Sequence, residues 1–242
     1  MSWSPPTSGP EPHPIELRAE QPAERDRLTA ALRLIWVIPQ AFVLFFVSIA
    51  AFFVAVAGWF GALFTGELPD FAEEFLSGYL RWTTRVSGYL YFLTDAYPPF
   101  SLEEAPEYPV QIAIPPKAPL NRVAVLFRLI LVIPAGIVAS IAGTGMGVLS
   151  VGSWFMITFT GVQPIPLYEV ARAVIRFQTR LGGYFGMLTA EYPWGLLGDL
   201  PPAGEGQDAG QRGAAIQLSQ GGRNAMIVAL VVGAIYFVYS NA

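Results

Sequence analysis

Two long apolar runs dominate the pattern of hydrophobic and polar residues along the chain. The first covers residues 33–66 and the second covers residues 128–161, and neither contains a charged residue after its initial arginine. A bilayer core of about 30 Å is crossed by roughly 20 apolar residues in helical form, so each run is longer than one crossing requires. Both runs therefore predict membrane-spanning helices.

The second run repeats the first without a gap. Arg33 corresponds to Arg128 at an offset of 95 residues (128 − 33 = 95), and Gly66 corresponds to Gly161 at the same offset. The offset also relates residues outside the runs, including Trp59 and Trp154, Pro69 and Pro164, Gly88 and Gly183, and Tyr97 and Tyr192. Self-similarity at one fixed spacing predicts a duplicated structural unit.

Each unit is predicted to contain a short strand, a long span and a second helix. Alternating apolar and polar residues after His13 and after Tyr108 favour the strands. Unit 1 is assigned residues 13–107, with the span at 33–66 and the second helix at 71–97. Unit 2 is assigned residues 108–200, with the span at 128–161 and the second helix at 167–192.

Three further segments flank the units. Residues 1–12 are rich in Pro and Ser and predict a disordered tail, and the Gly-rich residues 201–213 predict a flexible linker. Residues 214–242 are assigned a short strand and a third, shorter apolar span at 225–239. The predicted fold is an all-α integral membrane protein with two tandem repeats, short cytoplasmic β-strands before each repeat and a C-terminal transmembrane helix.

The second helix of each unit is amphipathic and carries arginines at a spacing of four residues. Such residues lie on one face of a helix. Arg81 and Arg85 in unit 1 correspond to Arg176 and Arg180 in unit 2. These four side chains are the candidate contacts for an anionic lipid or ligand where the two units meet. The alternative is a face that anchors the helix at the membrane interface, or a structural tie to Asp95, Glu74 or a backbone carbonyl.

Three topologies are compatible with the pattern. If the second helix also crosses, each unit is a hairpin and all strand-like segments share one side, where they can pair. If only the long run crosses, unit 2 is inverted relative to unit 1. If the long run is a re-entrant hairpin that bends near Gly143 to Gly147, the arginine-bearing helix lies on the membrane surface.

Strand pairing and charge favour the hairpins, because the far turns carry no Lys or Arg. The rule that basic residues stay in the cytoplasm then predicts a multi-pass protein of the cell membrane with a cytoplasmic N-terminus.

Glycines in the apolar and amphipathic segments are predicted to serve close helix packing. The candidates are Gly143 and Gly147 in the second span, and Gly88 and Gly183 in the amphipathic helices. Small residues let helix backbones approach one another in lipid. Gly143 to Gly147 is not read as a phosphate-binding loop, because no Lys-Ser/Thr follows and the segment is apolar.

Composition excludes several classes of function. The chain has no cysteine, which rules out disulfides and thiol chemistry, and its single histidine excludes a histidine-rich metal site. The net charge is −4 and the 14 Lys and Arg are scattered, which argues against nucleic acid as a partner. No nucleophile or metal-ligand pattern accompanies the acidic residues, so no enzymatic activity, metal or cofactor is predicted.

The combined motifs LFTG, LRW, YLYFLTDAYPPF, YPVQIAIP and RLILVIP resemble the bacterial membrane family described as domain of unknown function 4389, especially its duplicated members. The resemblance covers residues 13 to about 199 and implies a location in the cytoplasmic membrane and no known catalytic activity. Unit 2 departs from the motifs, since Trp194-Gly195 stands where unit 1 has Pro99-Phe100.

The leading functional hypothesis is a non-enzymatic membrane protein, either a lipid-contacting scaffold or an accessory subunit of a membrane assembly. Membrane lipids and either a second copy or another membrane protein are the expected partners. The alternative is a transporter or channel for anions or lipids that uses an arginine-lined seam between the repeats.

Overall fold

A computed structural model describes residues 13–19, 25–198 and 218–240. Along these residues the elements are β1 (Glu16–Ala19), α1 (Arg27–Thr65), α2 (Asp70–Leu90), β2 (Val110–Ala113), α3 (Arg122–Thr160), α4 (Ile165–Phe185) and α5 (Gln220–Ser240). The predicted tail at 1–12, the linker at 201–213 and most of the predicted strand before α5 lie outside the described residues.

The long helices begin six residues before the predicted starts of the spans. Asp26 caps α1 by accepting hydrogen bonds from the Leu28 and Thr29 amides at 2.8 and 3.0 Å, and Asn121 caps α3 in the same way. The hydrogen bond from the Thr29 amide is the main reason that the pKa of the Asp26 carboxyl is lowered. Because a side-chain cap satisfies amides at a helix start, the charged residues after it belong to the helix.

The amphipathic helices end earlier than predicted. They stop at Leu90 and Phe185 rather than near residues 97 and 192. Just beyond each end, Phe92 and Met187 adopt positive φ angles of 63° and 61°. An αL residue followed by a hydrogen bond back to the last helical turn terminates a helix, and the Leu93 amide bonds the Gly88 carbonyl at 2.8 Å.

The two long helices run in opposite directions. At one end of the molecule Arg27 of α1 donates to the Thr160 carbonyl at the end of α3, at 3.1 Å. At the other end Arg122 of α3 donates to the Thr65 carbonyl at the end of α1, at 3.2 Å. This arrangement differs from the predicted pair of hairpins, in which both long helices run in the same direction. The basic residues before the two helices therefore lie at opposite ends of the molecule.

The predicted pairing of the first two strands is confirmed. β1 and β2 are antiparallel, with Leu17 opposite Ile112. The sheet packs on the amphipathic helices: Val110 lies against Gly88 of α2, and Ile15, just before β1, lies against Gly183 of α4. A Cβ at Gly183 would collide with the Ile15 side chain, and one at Gly88 would press against the Val110 side chain.

The two units are related by an approximate two-fold axis near the middle of the molecule. Thr84 of α2 and Thr179 of α4, which correspond at the 95-residue offset (179 − 84 = 95), share a hydrogen bond of 3.1 Å across the units. α1 packs on α2 and α3 packs on α4, while the sheet contacts only α2 and α4 among the helices. The molecule is layered, with α2 and α4 between the long helices and the sheet.

α5 packs against α3 and α4 and has no counterpart among the described residues of unit 1. A Cβ added at Gly145 would collide with the Ala229 carbonyl of α5, and one at Gly233 would collide with the Ile141 carbonyl of α3. Gly143 lies against Gln178 of α4. A Cβ at Gly147 would meet nothing within 4 Å among the described residues.

The alternative of a re-entrant bend near Gly143 to Gly147 is wrong, because α3 continues as one helix from Arg122 to Thr160 through both of these glycines.

Candidate functional site

Six arginines are buried within the described structure. They are Arg25, Arg33, Arg85, Arg128, Arg176 and Arg180, each at most 6% exposed. A buried charge is costly unless it is paired or hydrogen-bonded. The partners of these six arginines therefore indicate the role of the buried charges.

Arg33 of α1 binds the segment that follows α2. It donates to the carbonyls of Tyr89 and Thr94, the latter at 3.0 Å, and forms an ion pair with Asp95. Its guanidinium also lies 4.5 Å from the centre of the Tyr89 ring, a cation–π contact. The Arg33 side chain thus fixes the turn after α2 onto α1.

Arg25 approaches the same carboxylate from the linker before α1. Its Nη1 lies 3.6 Å from Asp95, and its Nη2 donates to the Phe92 carbonyl and to Gln163. Burial lowers the pKa of Arg25, and the nearby Asp95 charge opposes that shift. Two arginines and one carboxylate therefore join unit 1 to the end of α3.

Arg128 repeats the Arg33 arrangement in unit 2, with no carboxylate partner among the described residues. It donates to the carbonyls of Tyr184 and Thr189 at 2.6 and 3.2 Å. Its guanidinium lies 4.3 Å from the centre of the Tyr184 ring. Position 190, which corresponds to Asp95, is alanine.

The predicted candidate pair in unit 1 binds the segment after α2. Arg81 is partly exposed and donates to Glu104 at 2.8 Å. Arg85 is buried and donates to the carbonyls of Ser101 and Glu103. Burial lowers the pKa of Arg85.

The corresponding pair in unit 2 behaves similarly. Arg176 donates to the Gly195 carbonyl. Arg180 donates to the carbonyls of Ile15 and Trp194, at 3.2 and 2.9 Å, and lies 5.1 Å from the centre of the Trp194 ring. Trp194 and Gly195, which differ from the unit 1 motif, therefore each supply a carbonyl to these arginines, and Trp194 also supplies its ring.

The four predicted arginines bind separate segments, and Arg180 reaches unit 1 at the Ile15 carbonyl. The contacts between α2 and α4 are made by small and uncharged side chains, including the Thr84–Thr179 pair and Leu80 against Gly182. Arg81 and Arg85 do contribute to a polar cavity of about 120 Å³ beside β2, whose wall also includes Thr84, Glu104 and Gln111. That cavity therefore lies where α2 of unit 1 meets β2, which begins unit 2.

The outer faces of the long helices are apolar from end to end. Exposed residues of α1 include Leu28, Ile35, Phe45, Phe52 and Phe64, and those of α3 include Val123, Ile130, Ile137, Val151 and Phe159. Their contact faces are instead small or polar, such as Ala51, Ala55 and Gly58 in α1. α1, α3 and α5 are each long and apolar enough to cross a membrane.

From the sequence, Arg33 and Arg128 at the starts of the long apolar runs were not identified as buried side chains that donate to backbone carbonyls. Their signal was the repetition of Arg33 as Arg128 at the boundary of an apolar run. It also missed Gln40, which is buried inside α1, donates to the Pro98 carbonyl and accepts from Trp82. Among the described residues, no cluster of His, Asp and Glu is arranged to hold a metal ion.

Comparison with known families matches both units. A sequence model described as Domain of unknown function (DUF4389) matches residues 27–101 and again residues 122–196, together more than half of the chain. The chain belongs to this family. The two matched segments start 95 residues apart (122 − 27 = 95), which agrees with the internal repeat. No curated protein and no solved structure matches the chain.

Proposed function

We propose that this family member is a non-enzymatic protein of the cytoplasmic membrane that serves as a lipid-contacting scaffold or accessory subunit. The observation that carries the proposal is the continuous apolar surface of α1 and α3, which exposes aromatic and aliphatic side chains over the whole length of both helices. Exposed apolar surface of this extent is stable only in lipid or against a partner.

The interior supports a structural role. Arg33, Arg128 and Arg180 bind backbone carbonyls and aromatic rings of the same chain. Such contacts hold turns in place and leave those donors unavailable for a substrate. We therefore expect these buried polar groups to stabilise the fold and not to bind a substrate.

Membrane fractionation with alkaline carbonate tests the proposal. We expect the protein to remain in the pellet and to float with lipid in a density gradient, as an integral protein does. Release into the supernatant would contradict it. A second arm measures self-association or partners after detergent extraction by cross-linking and mass analysis. A strict monomer without a co-purifying protein would contradict the scaffold role.

The second candidate is a transporter or channel for anions or lipids. The specific observation in its favour is the polar cavity with Arg81 and Arg85 in its wall. Its test is anion flux or lipid scrambling in proteoliposomes. Arg81→Ala should reduce such transport if the cavity is the path, and unchanged transport would exclude the cavity from it.

A further inference from the structure

We infer that α1 and α3 lie along the membrane within one leaflet, with the sheet toward water, instead of crossing the bilayer. The inference rests on the proposed membrane function and concerns only how the molecule meets the lipid. A protein that crosses a bilayer carries its polar surface at its two ends, because its middle lies in hydrocarbon. This molecule also carries charged surface at mid-height, on the side of α2 that faces away from α1.

The apolar side extends over the full length of the long helices. Leu28 near the start of α1, Phe45 near its middle and Phe64 near its end are 69%, 62% and 71% exposed. Each 39-residue helix is about 58 Å long at 1.5 Å per residue, well beyond a bilayer core of about 30 Å. A crossing helix of that length would leave exposed phenylalanine and leucine outside the hydrocarbon.

The charged side lies across α2 from α1. Tyr79 of α2 faces α1, where its hydroxyl lies 2.9 Å from Ser48. Arg81 faces away, toward Glu104. Because successive helical residues are about 100° apart, residues 79 and 81 differ by about 200°. α1 and Glu104 are therefore on opposite sides of α2.

The charged pair is also level with the middle of the long helix. Ser48 lies close to residue 46, the midpoint of α1 (27 + 65 = 92; 92/2 = 46). Arg81 is about half a turn along α2 from Tyr79, so the Arg81–Glu104 pair is also at mid-height, and the Glu104 side chain is 75% exposed. In a crossing orientation this carboxylate would face lipid near the bilayer centre, where a charged residue costs about 2.5–3.5 kcal/mol.

The thickness of the layers matches one leaflet. Half of a bilayer core is about 15 Å. A helix with its side chains is about 10–12 Å wide, and packed helices are 8–10 Å apart. The layer of α1 and α3 therefore fits into the hydrocarbon of one leaflet, α2 and α4 reach the headgroups, and the sheet faces water. The basic residues at both ends of the molecule then share one side, which the positive-inside rule assigns to the cytoplasm.

Cysteine accessibility tests this orientation directly, since the chain has no native cysteine. Ala96 and Glu191 occupy corresponding positions at opposite ends of the molecule (191 − 96 = 95) and both are exposed. Glu104 marks the middle of the charged side, and Phe45 marks the middle of the apolar side. Single cysteines at these positions are labelled with a membrane-impermeant maleimide in sealed vesicles of both orientations.

We expect Ala96→Cys, Glu191→Cys and Glu104→Cys to react from the same side and to similar extents, while Phe45→Cys does not react. Reaction of Ala96→Cys and Glu191→Cys from opposite sides would overturn the inference, as would protection of Glu104→Cys equal to that of Phe45→Cys.

Alkaline extraction of the same membranes separates this inference from the proposed function. If the protein is released by alkali, the membrane function itself fails and the labelling pattern has no bearing on a leaflet. If the protein is retained but its two ends label from opposite sides, the membrane function stands and only the flat orientation fails.

Discussion

The two ends of the molecule each contain a buried arginine bound to the turn after an amphipathic helix, but its surroundings differ between the ends. At the end where α1 begins, the buried Arg33 shares Asp95 with Arg25, and Gln163 completes the polar group. At the end where α3 begins, the corresponding positions are Arg128, Ala190, Leu120 and Leu68.

Three polar residues of the first end are thus apolar at the second, and Leu68 and Leu120 join a hydrophobic cluster there. The backbone arrangement is the same, since Arg33 and Arg128 bind corresponding carbonyls. The element that both units share is therefore an arginine bound to a turn. The end that has the carboxylate is also the end that has a second buried arginine, Arg25.

The largest effect is expected for Asp95→Ala. It leaves two buried arginines without a carboxylate, and removing one partner of a buried ion pair typically costs about 3–5 kcal/mol. Urea unfolding of the detergent-solubilised protein measures the change. Arg18→Ala, at an exposed pair with Glu16, serves as the control and should change stability by less than about 1 kcal/mol. Equal effects of the two variants would contradict the buried role of Asp95.

Gly145→Ala should have the next largest effect, because its Cβ meets the Ala229 carbonyl of α5. Overpacking of this kind costs about 1–3 kcal/mol. Position 50, which corresponds to Gly145, is an exposed alanine and no helix covers it in the described structure. Ala50→Gly is therefore the matched control, with a loss of about 1 kcal/mol from helix propensity alone. Protease sensitivity of α5 distinguishes the two, since only Gly145→Ala should release that helix.

A smaller effect is expected when unit 1 is given the pattern of unit 2. The triple variant Arg25→Leu, Asp95→Ala and Gln163→Leu removes both charges and the amide together. Replacing a buried polar group as a whole by apolar residues is often nearly neutral, within about 1–2 kcal/mol. The triple variant should therefore unfold at higher urea than Asp95→Ala alone. Lower stability than the single variant would show that the two ends are not interchangeable.

The smallest effect is expected for the reverse change, Ala190→Asp. It offers Arg128 a carboxylate at the position that Asp95 occupies relative to Arg33. Because residue 190 is exposed, the gain should be at most about 1 kcal/mol. Ala190→Ser, which is small and uncharged, is the control. A loss of stability specific to the aspartate variant would contradict the correspondence between the two ends.

Much of the fold was predictable from the sequence because its signals are local. The apolar runs, the Pro and Gly residues after them and the arginine spacing each depend on residues close in the chain. The helix starts were displaced because Asp26 and Asn121 were not recognised as caps. The ends of the amphipathic helices were predicted too late because Phe92 and Met187 adopt an αL conformation, which is unusual for these residue types.

The candidate site was less predictable. The sequence placed Arg81, Arg85, Arg176 and Arg180 on corresponding helix faces, but a helical wheel does not show what lies opposite a face. Segments distant in the chain supply their partners, such as Ile15 for Arg180, 165 residues away. Contacts of that separation follow from packing and not from local pattern.

The sequence by itself determined that the chain is a duplicated unit of long apolar helices and arginine-bearing amphipathic helices. Both features can be recognised from residues that recur at regular spacings along the chain. Only the tertiary structure decided that α1 and α3 are antiparallel and that the exposed Glu104 lies across α2 from α1. The physical reason is that an offset of 95 residues fixes which residues correspond but not the direction of the rotation axis between the copies. That axis is set by where Thr84 meets Thr179 and by the pairing of the two strands.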